Sequence, residues 1–392
     1  MSLLNSESAQ PPTTSPMASF ANLAKRIVLL NRTRKQFEAQ KQPSSPQRPL
    51  APLPTSLSGR IPQELFERCR LQGLGTGEQI SSLRTACCTF SKPDVDEASR
   101  QLRDPNPYNT GGKQCILFGT DNGVLLCSLA SGAPPSRVLS MPDPVTQIDV
   151  LEKHNLVVLL SGHRIMTIPL NILQPAMPRD SSSCTRVSSH ATFFKVGVIS
   201  GRHLVCVVKA GLSTTCKLME PVRTPSQGYS LQLYKEFYIS ERVTSIHFLR
   251  TKLVAGTSRH DFEVVDVETL ITQPLLDPSA THHDSKSMKC RAVFRTGHDL
   301  LLCYHSFALH VNNQGHPITK PPVRWRSDSV HTVVLRKPYL LAFGAGNIEV
   351  RHANNGSLVQ TIWIGHSVLC VSPELLMIQA DDGRLLGLQF ID

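Results

Sequence analysis

The chain has 392 residues, of which 41 are Lys or Arg and 30 are Asp or Glu, so its formal net charge at pH 7 is +11. No apolar run reaches the roughly 18–20 residues that span a bilayer, and the N-terminus lacks the pattern of a signal peptide, so we expect neither a membrane-spanning nor a secreted protein. Eleven cysteines without repeated C-x-x-C spacing exclude a zinc ribbon and a paired disulfide framework, and we expect a cytoplasmic location.

The positive charge is concentrated at the N-terminus. Residues 1–60 contain eight Lys or Arg and two Glu, which leaves a net charge of only +5 for the rest of the chain. Residues 1–18 and 42–59 are rich in Ser, Pro and Gln, a composition typical of disorder. The sequence therefore predicts a mostly disordered basic tail over 1–60, which either contacts an anionic membrane surface or is a solvated arm. We expect no nucleic-acid partner, because the remaining residues are close to charge balance.

Residues 19–41 are the part of this tail with helical periodicity. Apolar and basic side chains occupy different positions around the predicted helix: Phe20, Leu23, Ile27, Leu30 and Phe37, and Lys25, Arg26, Arg34 and Lys35. The pattern predicts an amphipathic helix for a membrane surface or a partner groove, or a helix that packs on a folded domain. Pro62 at a helix-start position predicts a second short helix over 61–71.

From Leu83 onward the sequence consists of short extended runs separated by turn residues. Seven units begin near residues 83, 145, 193, 243, 291, 330 and 367. Most intervals are close to the roughly 40–50 residues of a propeller blade, and the longest contains the polar stretch 91–112. We therefore predict an all-β fold, a seven-bladed β-propeller over residues 83–392.

The stretch from Val330 to Trp363 shows this pattern most clearly. Four runs are separated by Lys337-Pro338, Gly344-Ala345-Gly346 and Asn354-Asn355-Gly356, and the runs are Val330–Leu335, Tyr339–Phe343, Asn347–Arg351 and Leu358–Ile362. They are short and rich in β-branched or aromatic residues, and the turns carry the Gly and Asn that positive φ favours. One small sheet cannot bury both of its faces alone, so similar sheets must stack on it.

The last unit, 367–392, has room for only three strands. Because a ring must close, we predict that residues 61–82, which precede Leu83, contain a closing segment that supplies the fourth strand. Three long polar stretches are predicted to project from the propeller rims: 171–190, 210–228 and 277–289. They are either binding loops or tolerated additions.

Several stretches, in the same order, carry a family resemblance: 193–209 (FFKVGVISGRHLVCVVK), 236–249 (EFYISERVTSIHFL), 262–270 with 273–278 (FEVVDVETL and QPLLDP), 301–315 (LLCYHSFALHVNNQG), and 337–343 with 348–352 and 356–360 (KPYLLAF, IEVRH and GSLVQ). They resemble the citron homology (CNH) domain, in the version at the C-terminus of fungal Rho guanine-nucleotide exchange factors. The resemblance covers most of residues 80–392. It implies a propeller used as a protein-interaction and regulatory module.

The resemblance also implies a function. It points to a non-catalytic module in Rho-type small GTPase signalling, with a Rho-family GTPase or its regulator as the partner. The exchange factors of this family carry a catalytic helical domain and a pleckstrin homology domain before the propeller. Neither fits in residues 1–80, so we expect no exchange activity from this chain alone. The alternatives are a CNH-type adaptor in vesicle or vacuolar tethering, and a propeller enzyme with Asp, Glu or His converging on the central channel.

Arg324-Trp325-Arg326 is the strongest candidate for partner binding, because Trp and Arg dominate interface hot spots. The alternative is a strand in which Trp325 packs between blades while its two neighbours point outward. Arg351-His352 is a further candidate for lining a channel or groove. Phe193-Phe194 is interpreted as core.

Catalytic and metal-binding motifs are absent from the sequence. It has no G-x-x-x-x-G-K-[ST], G-x-S-x-G or H-E-x-x-H pattern. His282-His283-Asp284 has no companion ligand at suitable spacing, so we interpret it as a solvated loop. Asp121-Asn122-Gly123 and Asp381-Asp382-Gly383 are interpreted as hairpin turns. We expect no catalytic residue, no cofactor and no metal.

Overall fold

The computed structural model describes residues 65–70, 83–90, 114–128, 134–211, 213–225, 228–259, 261–276, 288–327, 329–371 and 376–390. All of them belong to a compact unit that spans residues 60–392. The predicted basic tail, its helix over 19–41 and the loops at 91–112 and 282–284 lie outside the described residues. No helix in the part of the chain that is described is long and apolar enough to cross a membrane.

The described strands form seven antiparallel sheets of four strands each. The first strand, β1 (Phe66–Arg70), belongs to the last sheet. Blade 1 contains β2 (Leu83–Phe90), β3 (Gln114–Thr120), β4 (Gly123–Ser128) and β5 (Ser136–Ser140). Blade 2 contains β6 (Val145–Leu151), β7 (Leu156–Ser161), β8 (Arg164–Pro169) and β9 (Thr185–Ser188). Blade 3 contains β10 (Phe193–Ile199), β11 (Arg202–Lys209), β12 (Thr214–Thr224) and β13 (Gly228–Ile239).

The remaining blades follow in chain order. Blade 4 contains β14 (Val243–Phe248), β15 (Lys252–Thr257), β16 (Phe262–Asp266) and β17 (Thr272–Pro274). Blade 5 contains β18 (Cys290–Thr296), β19 (Asp299–Tyr304), β20 (Phe307–Val311) and β21 (Val323–Arg324). Blade 6 contains β22 (Thr332–Arg336), β23 (Tyr339–Phe343), β24 (Asn347–His352) and β25 (Leu358–Trp363). Blade 7 contains β26 (His366–Val371), β27 (Leu376–Ala380), β28 (Leu385–Phe390) and β1.

The first strands of neighbouring blades contact one another and surround the axis. Strand β2 contacts both β6 and β26, and β14 contacts both β10 and β18. Single-turn 3-10 helices occur in blade 2, at Glu152–His154, Leu170–Ile172 and Ser181–Ser183. The predicted all-β fold and seven-bladed propeller are confirmed, and the predicted blade starts lie within two residues of the observed ones.

The described residues form seven apolar core clusters, and each cluster joins two adjacent blades. Phe118 of blade 1 packs with Met377 of blade 7, and Phe194 of blade 3 packs with Val158 of blade 2. Burying one such large side chain contributes roughly 1.5–3 kcal/mol. Because the apolar contacts lie between blades rather than within them, a blade gains most of its stability from its neighbours.

The ring closes through residues N-terminal to Leu83. Strand β1 pairs with β28, with Phe66 opposite Phe390 and Arg70 opposite Leu386. The Gln360 side chain of blade 6 accepts hydrogen bonds from the amides of Leu65 (3.0 Å) and Phe66 (2.9 Å) and donates one to the Phe66 carbonyl (2.9 Å). The helix predicted over 61–71 is therefore wrong at residues 66–70. The free edge of β28 supplies a complete set of backbone partners, which outweighs the local helix-start signal of Pro62.

Two of the three predicted projecting stretches are also corrected. Residues 185–188 form β9, and Arg179 exchanges backbone hydrogen bonds with Val138 and Ser140 of blade 1. Stretch 171–190 therefore ties blade 2 to blade 1. Most of stretch 210–228 is β12, which continues the ladder with β13. Of 277–289, only the last two residues are described.

Candidate interaction surface

The sequence-predicted partner site lies at the end of blade 5. Trp325 follows β21, and its side chain is only 8% exposed. Its Nε1 donates a hydrogen bond to the Tyr304 carbonyl at 3.0 Å. Arg324 and Arg326 are exposed on either side of it. Trp325 thus contributes to the seam between blades 5 and 6, whereas partner binding by the two arginines stays a prediction.

A buried ion pair stabilises the segment after Trp325. The Glu349 carboxylate is fully buried and accepts hydrogen bonds from the backbone amides of Arg326 and Ser327, both at 2.8 Å. Its other oxygen accepts from Arg351 Nε (2.9 Å) and Nη2 (2.6 Å). The guanidinium also donates to the Gly356 carbonyl at 3.0 Å.

The ion pair corrects one sequence expectation. Arg351 does not line a channel or groove, because its guanidinium is enclosed with the Glu349 carboxylate. His352 is half-buried against the Tyr339 ring. Alternation along β24 places residues 349 and 351 on one side of the strand, but the sequence does not show that this side is covered.

Titratable side chains near the axis are distributed over four blades. They are Cys87 in β2, Asp149 in β6, Lys195 in β10 and His247 in β14. Asp149 Oδ1 lies 3.9 Å from Cys87 Sγ. Burial raises the pKa of Asp149, and the Lys195 charge partly offsets this rise. Burial also lowers the pKa of His247 to about 3, so its imidazole is neutral at physiological pH.

The described residues contain no group of three or more His, Cys, Asp or Glu that could hold a metal ion. The buried thiols are poor nucleophiles, because burial favours the uncharged form. Burial beside Asp261 raises the pKa of Cys290 to about 12, and burial raises the pKa of Cys184 to about 11. Cys290 is a small buried side chain, whereas Cys184 is half-buried.

The blade-3 hairpin forms a feature that sequence analysis did not identify. Strand β11 pairs with β12 only up to Met219, and beyond that point β12 pairs only with β13. We call residues 219–225 and 228–233 the arm. Met219 and Leu231 on one face pack against blade 2. Because side chains alternate along a strand, Arg223 and Tyr229, which are paired with each other, lie on that same face nearer the tip.

The arm and blade 2 enclose a cleft of about 570 Å³. We call it the basic cleft, and its principal lining residues are Lys153, His154, Asn171, Ile172, Arg223 and Tyr229. Lys153 and His154 belong to the turn between β6 and β7, Asn171 and Ile172 follow β8, and the arm supplies Arg223 and Tyr229. The cleft was missed because 210–228 was predicted to be a loop.

Exposed apolar side chains provide a second feature of the surface. Leu233, near the base of the arm, is 53% exposed, and Val222 on the opposite face of the arm is also exposed. Trp363 at the end of β25 is 74% exposed. Single exposed apolar side chains are common on protein surfaces, whereas a contiguous apolar patch marks a contact site, so these residues are candidates only.

Comparison with known proteins gives consistent matches. The protein-family model described as the CNH domain matches residues 112–373. The chain is 35% identical over 288 residues to Rho1 guanine nucleotide exchange factor 1 of Schizosaccharomyces pombe, in an alignment that covers 65% of this chain and 21% of that protein. It is 27% identical over 290 residues to RHO1 GDP-GTP exchange protein 2 of Saccharomyces cerevisiae, covering 64% of this chain and 20% of that protein. The chain thus spans about a fifth of the length of these relatives.

A solved structure described as the AfRom2 CNH domain matches with a TM-score of 0.63 and 32% sequence identity. The match covers 72% of this chain and 92% of that chain. The sequence resemblance is therefore confirmed by a family model, by curated relatives and by a structure.

Proposed function

Because this chain belongs to the CNH domain family, we propose that its propeller is a non-catalytic protein-interaction module in Rho-type GTPase signalling. The observation that carries the proposal is the match over 288 residues to a Rho1 exchange factor, together with the CNH family model over residues 112–373, which contain most of the described strands. The partner in this proposal is a Rho-family GTPase or one of its regulators.

The propeller suits this role because its blades hold exposed side chains on a rigid frame. Polar contacts join the blades in addition to the apolar seams, as in the Gln147 amide, which donates to the Phe194 carbonyl (2.6 Å) and accepts from its amide (3.0 Å). Binding to a rigid surface costs little ordering entropy. Two described surfaces offer suitable contacts, the exposed apolar residues of the arm and the pair Arg324 and Arg326.

A capture experiment tests the proposal. The purified chain is immobilised and exposed to Rho-family GTPases loaded with GDP or with a non-hydrolysable GTP analogue. We expect enrichment in at least one nucleotide state, relative to a small GTPase from outside the Rho family. Enrichment in neither state contradicts a direct GTPase contact.

Substitutions then locate the surface. Leu233→Asp places a charge on the arm, and Arg324→Glu/Arg326→Glu reverses the charge at the end of blade 5. Met177→Asp, at an exposed apolar residue of blade 2, is the matched control. We expect one of the first two variants to lose capture while the control retains it, because interface energy is concentrated in a few contacts.

A further inference from the structure

The basic cleft carries positive charge without internal compensation. Lys153 is exposed on the first turn of blade 2, and Arg223 is exposed on the arm that faces it. Neither side chain forms an ion pair with an acidic residue in the described part of the chain, and no carboxylate lines the cleft. Elsewhere on blade 3, Arg202 is paired with Glu220 at 3.0 Å. The cleft therefore presents two cations that are free to bind an anion.

The blade-2 side of the cleft is pre-formed. Asn155 Nδ2 donates to Asn171 Oδ1 at 2.8 Å, and the Asn171 amide donates back to Asn155 Oδ1 at 3.1 Å. The Asn155 carbonyl accepts from the Leu170 amide at 2.9 Å. These bonds join the turn between β6 and β7 to the segment after β8. A ligand would therefore meet a fixed surface rather than mobile turns.

His154 in this cleft has an unsatisfied nitrogen. Its ring stands edge-to-face against Tyr229 and His203, with centroid distances of 4.9 and 5.1 Å. Nδ1 is buried and has no hydrogen-bond partner among the described residues. Burial, His203 and Lys153 together lower the pKa of His154. Nδ1 therefore has hydrogen-bonding capacity that the described residues do not use.

We propose that the basic cleft is a binding site for a small polyphosphorylated anion of the inositol phosphate class. Arg and Lys are the side chains that bind phosphate oxygens most strongly, through charge-assisted hydrogen bonds. The volume of about 570 Å³ lies within the usual range for small-molecule sites and exceeds what one phosphate group fills. Ile172 and the Tyr229 ring supply apolar surface for the ring of such a ligand. This proposal does not rest on the proposed GTPase contact.

Calorimetric titration of the full chain with inositol hexakisphosphate at physiological ionic strength tests the proposal. We expect saturable binding of one ligand per chain. Lys153→Ala/Arg223→Ala should weaken it by at least about a hundredfold, since two charge-assisted hydrogen bonds are lost. His154→Phe keeps the ring contacts with Tyr229 and His203 and removes both nitrogens, and we expect it to weaken binding by about tenfold.

Arg242→Ala/Arg250→Ala is the matched control, because it removes two exposed cations that do not line the cleft. It should change the affinity by less than about threefold, since distant surface charges are screened. Absence of binding, or equal weakening by the control and the cleft variant, overturns the proposal. Equal competition by a poly-glutamate peptide also overturns it, because the cleft would then select charge rather than phosphate.

Vesicles distinguish the two sources of this ligand. Phosphatidylcholine vesicles with and without phosphatidylinositol bisphosphate are sedimented with the wild-type chain and the cleft variant. Cleft-dependent sedimentation only with the phosphorylated lipid assigns a lipid headgroup. Soluble binding without sedimentation assigns a free inositol phosphate. Both results support the site, and the melting temperature of each variant shows whether it is folded.

Discussion

At the residue scale, the buried polar groups of this propeller lie at the seams between blades. Glu349 connects its own blade to the segment that leaves blade 5, and Tyr304 of blade 5 donates a hydrogen bond to Asp261, which precedes β16 of blade 4 (2.6 Å). Such groups are costly to leave unpaired in a medium of low dielectric constant. They therefore determine how neighbouring blades align.

Removing one partner of the buried ion pair should be strongly destabilising. Arg351→Met leaves the Glu349 carboxylate buried without its cation, and we expect a loss of roughly 3–5 kcal/mol in the free energy of unfolding. Arg351→Met/Glu349→Gln should recover part of this loss, because the uncompensated charge is removed. Denaturant titration measures both.

The exposed pair Arg384–Asp382 is the control for this ion pair, with side chains 66% and 50% exposed. Arg384→Met should lower the free energy of unfolding far less than Arg351→Met does, because solvent screens exposed ion pairs. Similar losses in the free energy of unfolding for Arg351→Met and Arg384→Met would contradict the conclusion that the buried ion pair is costly to break because it is buried.

His247 should make the protein less stable in acid. Because burial lowers its folded-state pKa to about 3, the unfolded chain takes up a proton below about pH 6.5 while the folded chain does not. The free energy of unfolding should therefore decrease as the pH falls from about 6.5 to about 3, by up to about 1.4 kcal/mol per pH unit. Lys195 faces the imidazole, and Ser245 lies 3.0 Å from its Nε2.

The change in stability with pH is the measurement for His247. His247→Gln has no group that titrates in this range, so its free energy of unfolding should depend less on pH between about pH 6 and pH 4. His298→Gln, at an exposed turn, is the control and should keep the wild-type dependence. An identical pH dependence for His247→Gln and the wild type would show that His247 does not cause the loss.

At the scale of elements, turns between strands must fit against the adjacent blade. Gly315, in the loop after β20, has a φ of +84°, and a Cβ atom there would lie 1.8 Å from the carbonyl oxygen of Leu275 in blade 4. Gly297, in the turn between β18 and β19, has a φ of +71° and no atom within 4 Å of the corresponding position. Both glycines have a left-handed backbone conformation, but only at Gly315 would a Cβ atom overlap the neighbouring blade.

This difference gives a matched pair of substitutions. Gly297→Ala should cost roughly 1–2 kcal/mol, the cost of the left-handed conformation for an L-residue. Gly315→Ala should cost about 3 kcal/mol or more, because the backbone of blade 4 must also move. Thermal or chemical unfolding of both variants checks the ranking. Equal losses in the free energy of unfolding would show that blade 4 moves to accommodate the added Cβ atom without an energetic cost.

At the scale of the whole molecule, stability depends on closing the ring. Leu65 and Phe66 are buried in the seam between blades 6 and 7, and β1 completes the last sheet. Without β1, blade 7 would have three strands, and β28 would present an unpaired edge.

Two truncated chains isolate the contribution of β1. A chain that starts at Leu83 should melt at least about 5 °C below a chain that starts at Arg60, since two large side chains and one strand ladder are lost. Phe66→Ala in the full chain should lower the melting temperature in the same direction. Equal melting temperatures for the two truncated chains would contradict closure by β1.

Sequence reasoning was most successful for the strands that are apolar on both faces. The first three strands of blade 6 were predicted within two residues, because each is buried between neighbouring blades and turns carry the residues that positive φ favours. The outer strands β5, β9 and β17 were missed, and a strand near β21 was considered only as the alternative for Arg324-Trp325-Arg326. They are short, pair along one edge and are partly exposed, so they lack a continuous apolar pattern.

The sequence by itself determined the all-β class, the number of blades and the need for a closing segment, because these follow from the spacing of apolar runs and turns along the chain. Only the tertiary structure decided that Trp325 is buried, that residues 66–70 are a strand and that Arg223 faces Lys153 across a cleft. These outcomes depend on what a neighbouring blade places opposite each residue. A local pattern contains no information about contacts between residues tens or hundreds of positions apart.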